Sequence, residues 1–155
     1  MNVSDQLSKV KLLDYYYQRR AESSIGIGDR FELTSAIFGT SSLVTSNPSG
    51  IYDIADIPAD FDLSDLTSQV ATSTKEGAPG GNSNKKFLTS YDSGIITLRA
   101  ELDSSKLEAN VSYPFNTLVV CDNLGKACLV LCCQQDSLYL GKSYVTVTEI
   151  NTMVS

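Results

Sequence analysis

Histidine and tryptophan are absent from this chain of 155 residues. Histidine is the side chain that most often serves as a general base or a metal ligand near neutral pH. Its absence excludes a Ser-His-Asp or Cys-His catalytic group assembled within one chain. The absence of tryptophan weakens the case for a site that stacks sugar rings.

Long apolar runs are also missing. No stretch approaches the roughly 20 apolar residues that a membrane-spanning helix needs, and the start of the chain lacks the apolar core of a signal peptide. We therefore expect no membrane association and synthesis in a cytosol, where disulfides are rare.

Charge is scarce and mostly negative. Charged residues make up 19% of the chain, hydrophobic residues 42%, and the net charge is −6. This composition is typical of a globular protein, and the length fits one compact domain. An acidic chain is poorly suited to bind nucleic-acid phosphates or anionic membranes, so a basic protein surface is the more natural partner.

Helical periodicity marks the N-terminal region. Residues 4–22 carry apolar side chains at three- and four-residue steps, with Ser4 as the N-cap. The residues at these steps are Leu7, Val10, Leu13 and Tyr17. The sequence predicts an amphipathic helix. Tyr15 and Tyr16 complete a run of three tyrosines, which either packs against the core or forms a docking surface, since tyrosine is enriched at interfaces.

An aspartate-rich segment follows. Its acidic residues are Asp53, Asp56, Asp60, Asp62 and Asp65. A calcium-binding loop starting at Asp60 would need a glycine where Asp65 stands and a glutamate where Ala71 stands. We therefore interpret the segment as a solvated acidic loop or a patch that faces a basic partner.

Three regions follow from composition. Residues 1–66 hold the helix, one strand over residues 31–37 and the acidic loop. Residues 67–86 are small and polar, which predicts a flexible loop or linker. Residues 87–155 are predicted to form an antiparallel β region, although all three fit one compact domain.

Period-two alternation dominates after residue 87. Residues 95–102 alternate after a turn at Asp92-Ser93-Gly94, LEANVSYPF is a further candidate strand that ends at Pro114, and residues 143–151 alternate again. The predicted fold class is mainly β, an antiparallel β-sandwich or barrel-like sheet with an N-terminal amphipathic helix.

All four cysteines lie within TLVVCDNLGKACLVLCC, at Cys121, Cys128, Cys132 and Cys133. Their spacing lacks the paired C-x₂₋₄-C knuckles of a zinc site, and neighbouring residues in a strand point to opposite faces. A disulfide between Cys121 and Cys128 is geometrically possible across the hairpin. We favour buried, unligated thiols in central strands that are covered on both faces, and we predict no metal and no cofactor.

The order of these parts resembles a known family. A helix with aromatic residues leads to a strand ending in IFGT, then to an Asp/Pro-rich loop, the strand ITLRAEL and the hairpin VVCDNLGKACLVLCC. Over residues 5–148 this resembles the N-terminal, baseplate-attachment domain of tail-collar-type tail-fibre proteins of contractile-tailed phages. In that family the hairpin has the form GLYDEDGxLIAVG.

The resemblance implies a non-enzymatic virion protein, a short adaptor or baseplate component located in the tail and assembled in the host cytoplasm. Its implied partners are other tail or baseplate proteins, a fibre protein and further copies of itself. The candidate interface residues are Leu7, Val10, Leu13, Tyr15, Tyr16, Tyr17, Asp53, Asp56 and Asp60.

Two alternatives stay open at this point. A small β-sandwich module for glycans would draw its stacking rings from Tyr52, Tyr91, Tyr113, Tyr139 and Tyr144. An enzyme would need an acid–base pair such as Glu101 and Asp103, but their two-residue spacing fits the solvent face of a strand equally well.

Overall fold

A computed structural model describes residues 8–46, 48–74, 87–102, 108–140 and 144–152. Ten strands and one α-helix lie within these ranges. In chain order they are β1 (Ser8–Leu12), α1 (Asp14–Ser24), β2 (Leu33–Ser41), β3 (Val44–Ser46), β4 (Tyr52–Ile54), β5 (Leu66–Thr74), β6 (Phe87–Asp92), β7 (Ile95–Leu102), β8 (Tyr113–Asp122), β9 (Ala127–Leu138) and β10 (Tyr144–Asn151), with a single 3₁₀ turn at Leu63–Asp65 before β5.

The described strands form an antiparallel β-sandwich. Five of them pair in the order β1-β9-β8-β2-β5, and three in the order β10-β7-β6, while β3 and β4 form a separate hairpin. Every pairing is antiparallel. Both larger sheets are open at their edges, so the sandwich alternative of the predicted fold class is the one observed.

The main core lies between the two larger sheets. Alternate residues of β7, such as Leu98 and Ala100, face alternate residues of β2 and β8, such as Phe38 and Phe115. The rings of Phe38 and Phe115 meet edge to face, with centroids 5.5 Å apart. The predicted alternation is therefore confirmed for residues 96–101.

A second apolar cluster covers the opposite face of the five-stranded sheet. Val119, Cys121, Val130 and Cys132 point to this side of β8 and β9. Leu13 at the start of α1, Val44 of β3, Ile54 of β4, and Ile57 and Phe61 of the acidic segment cover them. Residues 118–121 of β8 and 127–132 of β9 are covered on both faces, and their sequences are apolar without alternation, as the prediction of central strands required.

The predicted turn at Asp92-Ser93-Gly94 and the predicted hairpin of the cysteine stretch are both present. Ser93 and Gly94 have φ values of 50° and 86°, the positive values that a tight hairpin between β6 and β7 needs. Gly125, with φ of 81°, closes the turn between β8 and β9, where the Asp122 carbonyl accepts its backbone N–H at 3.0 Å.

The predicted helix over residues 4–22 is wrong at its start. Residues 8–12 form β1, which pairs with β9, and α1 begins only at Asp14. The backbone N–H of Leu13 donates to the carbonyl of Cys128 at 2.9 Å, so pairing with β9 runs up to the start of the helix. Ser4 and Leu7 lie outside the described residues.

Two further boundaries need correction. Residues 67–74, assigned to a flexible loop or linker, form most of β5 and pair with β2, so the division at residue 66 falls within a strand; residues 75–86 lie outside the described ranges. Pro114 does not end a strand but is the second residue of β8 and lies opposite Ser137. Its missing N–H is tolerated at a strand start.

Candidate interaction surface

A buried ion pair fixes α1 on the β8–β9 hairpin. Arg19 Nε lies 3.4 Å from Asp122 Oδ2, and the two side chains are 5% and 0% exposed. The Tyr15 hydroxyl donates to the same carboxylate oxygen at 2.7 Å. The other oxygen accepts the backbone N–H groups of Leu124 and Lys126, each at 3.0 Å. Asp122 therefore shapes the turn and anchors the helix at once.

The surroundings keep the Tyr15 hydroxyl protonated. Burial raises the pKa of the Tyr15 hydroxyl well above its usual value, and the hydrogen bond to Asp122 adds to the effect. Tyr15 therefore stays a hydrogen-bond donor over the whole physiological range. Arg19 also donates through Nη1 to the Asp29 carbonyl at 3.1 Å, and its guanidinium lies over the Phe31 ring.

The acidic segment is ordered by its own carboxylates. Asp62 accepts the Ser64 backbone N–H at 2.8 Å and also its hydroxyl, while Asp65 accepts the Asp62 backbone N–H at 3.0 Å. This is a capping box around the 3₁₀ turn. The bonds from Ser64 lower the pKa of Asp62. These two aspartates thus act as turn formers.

A groove of about 560 Å³ lies where the start of α1, the acidic segment and the hairpin turn meet. Among its walls, Leu13, Phe61 and Ala127 are buried, whereas Asp14, Gln18, Asp60, Asp62, Ser64, Gly125 and Lys126 are exposed. The Asp14 backbone N–H donates to the Ala59 carbonyl at 3.0 Å, which ties helix and segment together. We call this depression the acidic groove.

A second groove of about 560 Å³ runs between the edge strands β1 and β10. Val10 and Leu12 of β1, Tyr17 of α1 and Ile150 of β10 line it. Asp14 and Ala59 line this groove as well as the acidic groove, so the two depressions adjoin.

The structure brings most of the predicted interface residues to these grooves. Leu13, Tyr15 and Asp60 line the acidic groove, and Val10 and Tyr17 line its neighbour. Whether any of them contacts a partner stays a prediction.

The other predicted interface residues lie elsewhere. Tyr16 is buried against Phe31, with ring centroids 5.6 Å apart. Asp53 is exposed on β4. Asp56 forms an exposed ion pair with Lys9 at 3.1 Å.

Several residues at this surface were not found from the sequence. Arg19 and Asp122 belong to no motif and no periodic pattern that would mark them as partners. Phe61 and Leu63 alternate with the aspartates of the acidic segment, and that apolar spacing is the signal that the segment packs against the protein while its aspartates stay exposed.

The four cysteines are free thiols. Cys132 belongs to the second cluster and Cys133 packs against the main core, so the predicted opposite orientation is confirmed. Cys121, Cys128 and Cys132 are buried, whereas Cys133 is half-buried. Among the described residues, no three His, Cys, Asp or Glu side chains are placed to hold a metal ion.

The side chains named for the alternatives lie on separate elements. Tyr52 packs against the second cluster, whereas Tyr91 is exposed on β6 beside a groove that Tyr16 and Arg20 also line. Glu101 pairs with Arg99 at 2.9 Å, and Asp103 lies outside the described residues. No helix in the described ranges is long and apolar enough to cross a bilayer.

The fold defines a small antiparallel β-sandwich with two adjoining surface grooves. Comparison with known proteins narrows this class. The family described as Bacteriophage P1 tail fiber protein R matches residues 1–155, and the chain belongs to that family. It is 50% identical over 151 residues to "Tail fiber protein R" of Escherichia phage P1, covering 97% of this chain and 96% of that protein.

No solved structure matches the chain. The resemblance to phage tail-fibre proteins that the sequence indicated is confirmed by this family. The chain is a structural tail-fibre component and therefore a component of the virion.

Proposed function

We propose that this protein is a non-enzymatic adaptor that attaches a fibre to the phage tail through protein–protein interfaces. Membership of a tail-fibre family supports the virion setting. The observation that carries the adaptor role is the acidic groove, which is built on the start of α1, an ordered acidic segment and a hairpin turn. Such rigid walls lower the entropic cost of binding.

The partner chemistry follows from the walls of the groove. Half-buried Tyr15, Ala59 and Leu63 present apolar area in the groove, and Asp14 and Asp60 place carboxylates beside it. A tail or baseplate protein that presents an apolar side chain next to lysine or arginine would match both features. The adjoining groove with Val10 and Tyr17 extends the same surface, in keeping with the enrichment of tyrosine at interfaces.

The test is capture of tail proteins from the same phage by the immobilised full-length chain. Each tail and baseplate protein is produced separately and titrated against wild type, Asp60→Lys and Asp92→Lys. Asp92 is exposed at the end of β6 and lines neither groove, so the control makes the same change of charge elsewhere. We expect Asp60→Lys to weaken capture at least about tenfold, a loss of about 1.4 kcal/mol.

Two results would contradict the proposal. One is the failure of every tail and baseplate protein to bind. The other is an equal effect of Asp60→Lys and Asp92→Lys, which would show that net charge rather than this groove matters. Assembly in the host cytoplasm and self-association stay predictions here.

One observation favours the glycan-binding alternative. Tyr91 is exposed beside a groove of about 460 Å³ that also contains Arg20 and Phe31, and an exposed ring can stack on a sugar. Binding of a bacterial surface glycan by wild type, lost in Tyr91→Ala, would support it. Absence of glycan binding leaves the adaptor as the sole proposal.

A further inference from the structure

The strand β10 presents a long regular edge. Among the described residues it is paired only with β7, through eight consecutive residue pairs from Tyr144 to Asn151 without a register shift. A strand at the edge of a sheet carries a row of backbone N–H and C=O groups on its outer side, which can pair with another strand.

Within the described strands, the other three edges of the two larger sheets are less suited to pairing. Proteins protect edges with short strands, lysines and bulges. β1 has five residues, two of them Lys9 and Lys11. β5 pairs with β2 through two register shifts, and β6 has six residues and ends at Asp92. β10 has eight residues, no lysine, arginine or proline, and one charged residue, Glu149.

The side chains of β10 define what can lie beside it. Val145 and Val147 are exposed on the outer face, whereas Thr148 and Ile150 are buried on the inner face. A neighbouring strand must therefore alternate β-branched and small polar residues in the same phase. YVTVTEIN itself has that pattern.

We infer that β10 pairs in antiparallel fashion with β10 of a second copy of this chain, joining two three-stranded sheets into one six-stranded sheet. Centred on Val147, such a pairing matches residues 144–150 with themselves and places Glu149 opposite Val145 of the other copy. A twofold pairing of this kind closes on itself, which gives a dimer rather than a filament.

Charge selects the antiparallel arrangement. The two Glu149 residues lie four positions apart in the antiparallel register, about 13 Å along the strands. This exceeds the screening length of about 8 Å at physiological ionic strength. Parallel pairing in register would bring the same carboxylates to neighbouring positions, about 5 Å apart. The net charge of −6 makes a charge-poor contact strand the favourable place for two copies to meet.

A matched pair of variants tests the edge. Leu88 on β6 and Val147 on β10 both lie beside Arg99 of β7, on the same face, and are 55% and 57% exposed. Val147→Lys and Leu88→Lys therefore create the same contact with Arg99 at opposite edges. We expect wild type and Leu88→Lys to dimerise in sedimentation equilibrium, and Val147→Lys to need at least about tenfold more protein for half-dimerisation.

Cross-linking tests the β10–β10 pairing in a second way, without a lysine at the edge. Val147→Cys should form an intermolecular disulfide under mild oxidation, whereas Leu88→Cys should not. The native thiols are buried or half-buried, so their background is low, and Cys133→Ala in both variants removes the most exposed one.

A monomeric wild type at every accessible concentration overturns the inference. Equal loss of dimerisation in both lysine variants also overturns the inference, because it would indicate that two copies pack through the face of the sheet. If both lysine variants fail to fold, the cysteine pair decides. The dimer and the adaptor are separable, because Val147→Lys should keep the capture of tail proteins and Asp60→Lys should keep the dimer.

Discussion

The Arg19 guanidinium and the Asp122 carboxylate, 103 residues apart in the chain, meet at 3.4 Å between α1 and the β8–β9 turn. Both side chains are withdrawn from water. The Asp122 carboxylate also receives the Tyr15 hydroxyl and two backbone N–H groups of the turn. One carboxylate thereby sets the position of the helix that forms one wall of the acidic groove.

Loss of this carboxylate should cost much of the stability of the protein. Asp122→Ala leaves the Arg19 charge buried without its partner and frees the turn N–H groups, so we expect a loss of about 3–5 kcal/mol. The double variant Arg19→Met, Asp122→Asn removes both charges and should be more stable than Asp122→Asn alone. Urea unfolding of the variants measures these changes in stability, which appear as a shift of the midpoint at constant slope.

The exposed pair Lys9–Asp56 is the control for this result. Its side chains are open to solvent, so Asp56→Asn should leave the urea midpoint unchanged within error. A change at Asp56 as large as at Asp122 would show that charge count, rather than burial, determines these effects.

The β8–β9 hairpin was the part of the fold most readily predicted from the sequence. Residues 118–121 and 127–132 are apolar on both faces and flank Asn123 and Gly125, so pattern and turn chemistry agree. The alternation of β7 was equally informative, because Leu98 and Ala100 face the core while Arg99 and Glu101 do not. Both signals depend on residues close together in the chain, so they can be recognised from one sequence.

The start of α1 was missed because a tertiary contact overrides a local pattern. Val10 and Leu13 stand three residues apart, which is helical spacing, yet residues 8–12 satisfy the free edge of β9 by pairing with it. β5 was missed for another reason. It is an edge strand of small polar residues, and only Ser73 and Thr74 of it are buried, so it lacks the apolar alternation by which strands are recognised.

The sequence indicated the parts of the acidic groove but not how they come together. The helix and the aspartates were both singled out as contact regions. Their meeting depends on Asp14 donating to Ala59 and on Arg19 reaching Asp122, and no periodicity along the chain encodes contacts across such separations.

Gly39 should tolerate no side chain. A Cβ at this position would lie 2.2 Å from the Ser68 carbonyl oxygen of β5, at the point where the β2–β5 register shifts. We expect Gly39→Ala to cost about 1–3 kcal/mol and to speed amide hydrogen exchange in β5 first, since that strand must move away.

Gly50→Ala serves as the comparison for Gly39→Ala. Its Cβ would meet open space, although φ is +80°, so only backbone strain of about 1–2 kcal/mol is expected, with no change of exchange in β5. Equal amide exchange of β5 in the two variants would contradict a steric clash as the cause of the Gly39→Ala effect.

The thiols should react only slowly until the protein unfolds. Burial raises the pKa of the Cys133 thiol to about 11 and that of Cys121 to about 12, so few thiolates exist at pH 8 to attack a disulfide reagent. Titration of the thiols with a disulfide reagent, in the absence of reductant, should detect four thiols in urea. In the native protein Cys133 should react first. Detection of only two thiols in urea would show a disulfide and contradict the free state of Cys121 and Cys128.

The same raised pKa values predict a loss of stability in alkali. In the unfolded chain the thiols ionise near their ordinary value of 9.0, whereas in the folded protein Cys133 and Cys121 stay protonated until about pH 11 and about pH 12. The stability that these protonated thiols contribute to the folded protein is thus fully present below pH 9, and it is lost as the pH rises from about 9 to 12. Each of these two thiols should lower the free energy of unfolding by up to about 1.4 kcal/mol per pH unit within its window.

Urea midpoints measured from pH 7.5 to 10.5 in a phosphine reductant follow this loss. Cys133→Ala removes one ionising group from the unfolded chain, so its stability should fall less steeply above pH 9 than that of wild type, even though it begins lower because a packed sulfur is gone. Parallel curves for the two proteins would show that the Cys133 thiol ionises as readily in the folded sheet as in the unfolded chain, which would place it in water rather than against the main core.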